Sequence, residues 1–319
     1  MWSYAKKWRL IVVSNQNLLN KTVVITGATA GIGLAAAARL AGQGAWVIGV
    51  GREQSRCRQA EESIKAGCPN ARISFLIADL SSLNSVRALA AQIKVKLAAE
   101  GIGHLDVLVN NAGTVSSWYM ATADGFELQF AVNHLAPFLL THELLPLLEA
   151  APEGRVICLS SGSHYRTKIN WDDIMLRKHY NVLMAYKQTK LANVLFCTEF
   201  NRRMASSSGV RAFAVDPGLV NTEIGLKGTT GITRWIWKKR SSGGTSPEVP
   251  ADSIAYLAGE PSVHGSGEVY WKDCKPVAPS SYSQQEDAAR RLWKLSEKMC
   301  GIASSSGGVC SPASCRTKE

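Results

Sequence analysis

A chain of 319 residues with 46% hydrophobic and 19% charged content has the make-up of a soluble globular protein and excludes a disordered one. Its formal net charge of +11 favours acidic partners such as nucleotide phosphates or anionic membranes; without zinc-finger spacing or a long basic helix, nucleic acid is not an expected partner. Eight cysteines with no CxxC pair and six histidines without ligand-like clustering argue against a metal site and a disulfide scaffold, so a reducing compartment is expected.

In chain order, residues 1–19 come first, as an N-terminal extension. Their apolar run, Leu10 to Val13, is too short for a secretion signal or a membrane span. Trp2, Tyr4 and Trp8 among Lys6, Lys7 and Arg9 read either as a segment lying on a membrane surface or as a solvated terminus. Strands are then expected in KTVVITG (21–27), AWVIGVG (45–51), RISFLIADL (72–80), LDVLVNNAG (105–113), RVICLSS (155–161) and VRAFAVDPG (210–218). Between them lie helical stretches: Ala-rich 32–44, polar-faced 53–67, 81–100, a long one around Phe130 to Leu148, and one opened by Tyr186. Near-continuous apolar strands separated by helices imply right-handed βαβ units and an α/β fold, a doubly wound parallel sheet with helices on both faces. One domain over 20–300 is expected, followed by a disordered Ser/Gly/Cys tail over 301–319.

TGATAGIG, Thr26 to Gly33, stands where the first strand turns into a helix. Gly27 permits a tight turn, Gly31 lets the backbone approach a pyrophosphate, and Gly33 allows close helix–strand packing, with the helix N-terminus facing the phosphates. Far downstream, Tyr186 precedes Lys190 by four residues, so a helix puts both on one face.

TGATAGIG, NNAG (110–113), Asn133, SSGS (160–163), YKQTK (186–190) and DPG (216–218) occur in the order and spacing of the short-chain dehydrogenase/reductase family, which the chain resembles over roughly residues 20–300. The resemblance implies a Rossmann-type fold and a nicotinamide cofactor held by Gly27, Thr29, Ala30, Gly31, Ile32 and Gly33. Arg52, Asp79, Leu80, Asn111, Ala112, Gly113, Pro217, Gly218, Val220 and Thr222 complete that set, with Tyr186 and Lys190 at its nicotinamide end. Gly51 and Arg52 stand where an NAD enzyme usually carries an acid, and a guanidinium pairs with a 2′-phosphate, so NADP(H) is expected. Ala30, where many NADP-binding members carry a second base, departs from that pattern. Asp79 reads as an adenine-binding acid or as a helix cap.

The implied catalytic set is Asn133, Ser161, Tyr186 and Lys190. Tyr186 would be the general acid/base, its phenolate stabilised by Lys190; Ser161, with Ser160 as the fallback, would orient the carbonyl; Asn133 would hold a relay water. The 25-residue step from Ser161 to Tyr186 brings in Tyr165 and Tyr180 as rival acids, but Ile169 and Met184 stand where each would need a lysine. That long insert, LANVLF after the lysine, NHLAPFLLTHELLPLL and RRLWKLSEKMCG resemble the retinol dehydrogenase-like branch, which acts on lipophilic alcohols and aldehydes, often at membranes. The implied substrate is retinoid-, steroid- or polyprenoid-like, handled under a lid at about 219–250. In that lid, Trp235 and Trp237 among Arg234, Lys238, Lys239 and Arg240 suit a membrane contact or a solvated charge run. The expected location is the cytoplasmic side, peripheral on an intracellular membrane if those segments bind one, and not secreted. The family commonly forms homodimers or tetramers through the helix carrying Tyr186 and Lys190. The competing readings are a non-catalytic NADPH-binding scaffold or sensor, and a carbonyl reductase for small non-lipid substrates.

Overall fold

The computed structural model describes residues 18–205, 208–220 and 243–303. All six expected strands form: β1 (Thr22–Thr26), β2 (Trp46–Gly51), β3 (Ile73–Ile77), β4 (Val107–Asn110), β5 (Arg155–Leu159) and β6 (Arg211–Val215). Two more follow, β7 (Tyr270–Lys272) and β8 (Lys275–Pro276), which form a hairpin at the sheet's edge. The strand order is β3-β2-β1-β4-β5-β6-β7-β8, parallel up to β7 and antiparallel only at β8. The chain begins in the middle at β1, winds out to β3 and then crosses to β4. The reversal between β1 and β4 opens a crevice at the carboxyl ends of the strands, where doubly wound sheets bind ligands.

Among the described residues the helices are α1 (Gly31–Gly42), α2 (Gln54–Gly67), α3 (Leu83–Ala99), α4 (Leu128–Phe130), α5 (Ala136–Glu149), α6 (Val182–Met204), α7 (Glu248–Gly259), α8 (Pro261–His264) and α9 (Glu286–Met299). Successive strand residues point to opposite faces. Val23, Ile25, Val109 and Ile157 accordingly pack into one core with the apolar faces of α1 and α7. Val24, Ile48, Leu108 and Val156 pack into the other with those of α3, α5, α6 and α9. Burial on both faces is why the strands lack polar alternation. Among the described residues, no helix is long and apolar enough to cross a membrane.

Three local features position the site. Helix α6 opens at Val182 rather than at Tyr186, because Asn181 Oδ1 accepts the amide protons of Leu183 and Met184 at 3.0 Å each. Tyr186 therefore sits inside the helix and not at its frayed end. Between α4 and α5 the backbone takes one π-turn, Ala131–Leu135, a device frequent at functional sites. There the neighbours Asn133 and His134 are both buried. Finally, the insert before α6 is anchored: Ile169, Met175 and Leu176 are buried, and Trp171 Nε1 donates to Tyr282 Oη at 3.0 Å.

Helix α9 covers the outer side of the α5–α6 pair. Its Trp293 stacks on Phe196 of α6 with ring centroids 5.8 Å apart, and meets Phe138 of α5 edge-on at 4.9 Å.

Candidate active site

The β1–α1 turn is built around glycine. Gly27 and Gly31 hold φ of +69° and +54°, the left-handed region that side chains resist. A Cβ on Gly33 would lie 2.2 Å from the Gly27 carbonyl oxygen and 2.4 Å from Asn111 Nδ2, so only glycine lets helix and turn approach this closely. Asn111 fastens the turn. Its Nδ2 donates to the carbonyls of Thr26 (2.8 Å) and Gly27 (3.3 Å), while its backbone N–H donates to Thr26 Oγ1 at 3.1 Å. The first turn of α1 carries no acidic residue, so its free N–H groups face the crevice without a competing carboxylate.

A cleft of about 420 Å³ runs from this turn across the carboxyl ends of the strands. Gly27, Thr29, Ala30, Gly31, Ile32, Gly33, Arg52, Asp79, Leu80, Asn111, Ala112, Gly113, Ser161, Tyr186, Lys190, Pro217, Gly218 and Val220 all line it. Thr222 and the Trp235–Arg240 segment lie outside the described residues, as do residues 1–17 and the tail from 304. At the outer end Arg52 is 74% exposed, with its guanidinium 3.9 Å from Glu53. Arg56, one helical turn on, contacts the same carboxylate at 3.2 Å and also lines the cleft. Arg56 stands outside every family motif, and its place four residues after Arg52, at the start of a helix, is the sequence signal that points to it. Asp79 is not a helix cap: Ser82 caps α3, and Asp79 Oδ1 instead accepts from Ser81 N–H and Oγ at 3.0 and 2.9 Å.

At the inner end, Lys190 Nζ donates to the Leu159 carbonyl at 3.0 Å and lies 5.5 Å from the centre of the Tyr186 ring. Lys190 is 4% exposed, and burial brings its pKa down to about 8. The two serines divide their duties. Ser160 Oγ donates to the Lys190 carbonyl at 2.8 Å, so its only proton is spent on holding α6. Ser161 Oγ accepts the Ser163 N–H at 3.2 Å and keeps its proton to donate into the cleft.

The side chain of Asn133 is not among those that line the cleft. Its Oδ1 accepts the Thr114 N–H at 2.7 Å, and Nδ2 donates to the Thr114 carbonyl (3.0 Å) and to Thr189 Oγ1 (3.2 Å). Both amide hydrogens are thus used to splint the post-β4 loop to α6. The rival tyrosines are engaged elsewhere. Tyr165 donates to the Ala278 carbonyl. Tyr180 Oη accepts from Gln129 Nε2 (2.7 Å) and lies 2.9 Å from the Ser116 carbonyl, and burial raises its pKa, the wrong direction for a base. Leu128, Val132, Leu183 and Leu219 add an apolar wall. Leu183, three residues before Tyr186, shares its face only because α6 already opens at Val182; a helix starting at Tyr186 leaves it out.

The model of the short chain dehydrogenase family matches residues 21–230. The chain is 37% identical to human retinol dehydrogenase 13 over 300 residues, 91% of this chain and 87% of that protein. Among solved structures, it is similar to an uncharacterised protein of Mycobacterium paratuberculosis, with a TM-score of 0.69 and 31% identity over 89% of this chain and 95% of that one. It is also similar to a metagenomic short-chain oxidoreductase in complex with NADP, with a TM-score of 0.59 and 25% identity over 82% of this chain and 100% of that one.

Proposed function

Because this chain belongs to the short chain dehydrogenase family and is retinol dehydrogenase-like in sequence, we propose that it is an NADP(H)-dependent oxidoreductase interconverting a lipophilic alcohol and its aldehyde or ketone. The observation that carries the reading is the convergence of Tyr186, Lys190 and the free hydroxyl proton of Ser161 on a cleft with a glycine-built phosphate turn at its other end. The cradle fits a dinucleotide, since a Cβ on Gly33 would close the approach of helix to turn and no carboxylate stands at the α1 N-terminus. The turn from Gly27 to Gly33 would hold the pyrophosphate, Arg52 the 2′-phosphate, and Asp79 and Leu80 the adenine end. Asn111, Ala112 and Gly113 would line the middle, with Pro217, Gly218, Val220 and Thr222 at the nicotinamide. Bound there, the cofactor supplies or takes up the hydride.

The chain's own residues manage the proton and the geometry. In reduction Tyr186 and Ser161 both donate to the carbonyl oxygen of the substrate, and the tyrosine proton transfers as negative charge grows there. A free phenol, with a pKa of about 10, ionises reluctantly at neutral pH. The neighbouring Lys190 ammonium stabilises the phenolate left behind, and Ser160 and Leu159 hold that lysine from two sides. The apolar wall of Leu128, Val132, Leu183 and Leu219 supports a lipophilic substrate over a small polar one. Contact with a membrane through the aromatic and basic segments at 1–19 and 231–240 belongs to the same reading.

The test is oxidation of NADPH against retinoid, steroid, polyprenoid and small aldehydes, comparing the natural chain with Tyr186→Phe. Turnover of a lipophilic aldehyde is expected, lost by at least about a thousandfold in Tyr186→Phe with NADPH affinity retained. Undiminished turnover in the variant removes Tyr186 from the mechanism, and tight NADPH binding without turnover on any substrate favours a sensor.

A further inference from the structure

The loop that carries Ser161 has a second anchor, which the catalytic reading leaves unexplained. His164 ends the short 3-10 turn Gly162–His164 and is fully buried, its ring against those of Tyr165 and Tyr270. Its Nε2 receives the backbone N–H of Ser280 at 3.0 Å. A backbone amide can only donate, so Nε2 carries no proton; the neutral ring then carries it on Nδ1, which lies 2.9 Å from the Ser161 carbonyl and donates to it. Burial holds the ring neutral by lowering its pKa.

The far side of this contact returns to the catalytic helix. Ser280 caps the turn Ser281–Gln284, and the Ser283 carbonyl lies 3.3 Å from Thr198 Oγ1 on α6. Tyr282 Oη accepts from Trp171 of the insert. Ser161 is therefore tied, through His164 and residues 280–283, to the helix that carries Tyr186 and Lys190. The loop has little slack elsewhere, for a Cβ on Gly162 would lie 3.0 Å from Asp216 Oδ2.

We propose that His164 is a positioning residue for the reaction: by donating from Nδ1 to the Ser161 carbonyl it fixes the backbone from which the Ser161 hydroxyl reaches the substrate. The inference rests on the proposed role of Ser161 and adds to it the element that sets the distance from Ser161 to Tyr186.

Covalent geometry supplies a discriminating test. Asparagine places an amide nitrogen where histidine has Nδ1, and glutamine places an amide oxygen where histidine has Nε2. His164→Asn therefore keeps the bond to Ser161 and loses the one to Ser280, while His164→Gln does the reverse. Turnover is expected to fall about tenfold in His164→Ala and His164→Gln, and to stay within about twofold of the natural enzyme in His164→Asn, with NADPH affinity unchanged in all three. In a Ser161→Ala background, His164→Ala is expected to cost less than about twofold more, since the group it positions is gone. Equal turnover in the Asn and Gln variants, or a reversed ranking, overturns the proposal even if His164→Ala fails to fold. A full tenfold further loss in the Ser161→Ala background also overturns it, leaving the serine's role intact. Undiminished turnover of Ser161→Ala itself overturns the serine's role and this inference together.

Discussion

The phosphate turn offers the sharpest quantitative test, through Gly33→Ala. The new Cβ would meet the Gly27 carbonyl oxygen at 2.2 Å and Asn111 Nδ2 at 2.4 Å. Both neighbours are fixed: the first is backbone, and the second is committed to the Thr26 and Gly27 carbonyls. Relief requires α1 and the turn to separate by about 1 Å, in the range where overpacking costs about 1–3 kcal/mol. The better helix propensity of alanine offsets about 1 kcal/mol of that, so the fold should survive. Dinucleotide affinity is more sensitive, because displacement of the turn misaims the amides that meet the pyrophosphate; a loss of about 2 kcal/mol is roughly thirtyfold in Kd. Titrating NADPH by fluorescence, with melts run with and without ligand, separates the two effects. A folded Gly33→Ala protein whose NADPH affinity lies within twofold of the natural chain would refute the close-packing argument.

Five further outcomes are expected, the Tyr186→Phe loss above being one. Arg52→Ala should raise the KM for NADPH about tenfold or more and leave that for NADH unchanged, since a charge-assisted pair contributes about 1.5–3 kcal/mol; parallel changes for both cofactors would count against a 2′-phosphate contact. His134 is fully buried and its pKa is lowered to about 4 by burial, against about 6.5 in the unfolded chain. Above pH 6.5 it is neutral in both states and contributes no slope. As pH falls from 6.5 towards 4, the unfolded chain takes up a proton that the fold refuses, so up to about 3 kcal/mol of stability is lost. Urea melts across that window should flatten in His134→Gln. Trp293→Ala should cost about 3–5 kcal/mol, read by thermal and denaturant melts. With α9 over α6, the natural chain should also not dimerise through the helix carrying Tyr186 and Lys190, which sedimentation would check.

Much of this architecture could be read from residue order, and what escaped has identifiable physical causes. The parallel strands were visible because burial on both faces leaves uninterrupted apolar runs in the central ones, such as VVIT and VICL. Strands β7 and β8 were not, being three and two residues long and joined through Asp273 and Cys274, which hold positive φ without the usual glycine or asparagine. The start of α6 was misplaced at Tyr186, although Asn181 is a good N-cap, because the polar insert hides where helical periodicity begins. The π-turn has no sequence signature, and the bonds of the Asn133 side chain within it to Thr114 and Thr189 could not be read from residue order. Ser161 and Ser160 stood as neighbours with equal chemistry, and only the hydrogen bond from Ser160 to the Lys190 carbonyl separates them. His164 was invisible for a similar reason, since its partner Ser280 lies 116 residues away.

The seating of α9 on Phe138 and Phe196 also sets a schedule for synthesis. A chain emerging from the ribosome can pair β1 to β6 once residue 215 is free, but Phe138, Phe196 and Phe200 stay uncovered until residues 286–299 follow. At ordinary elongation rates that interval lasts on the order of ten seconds. During it the unfinished protein displays an aromatic face beside a sheet paired from β3 to β6. That is when it is most open to aggregation, and when a chaperone holding the nascent chain would have most to protect.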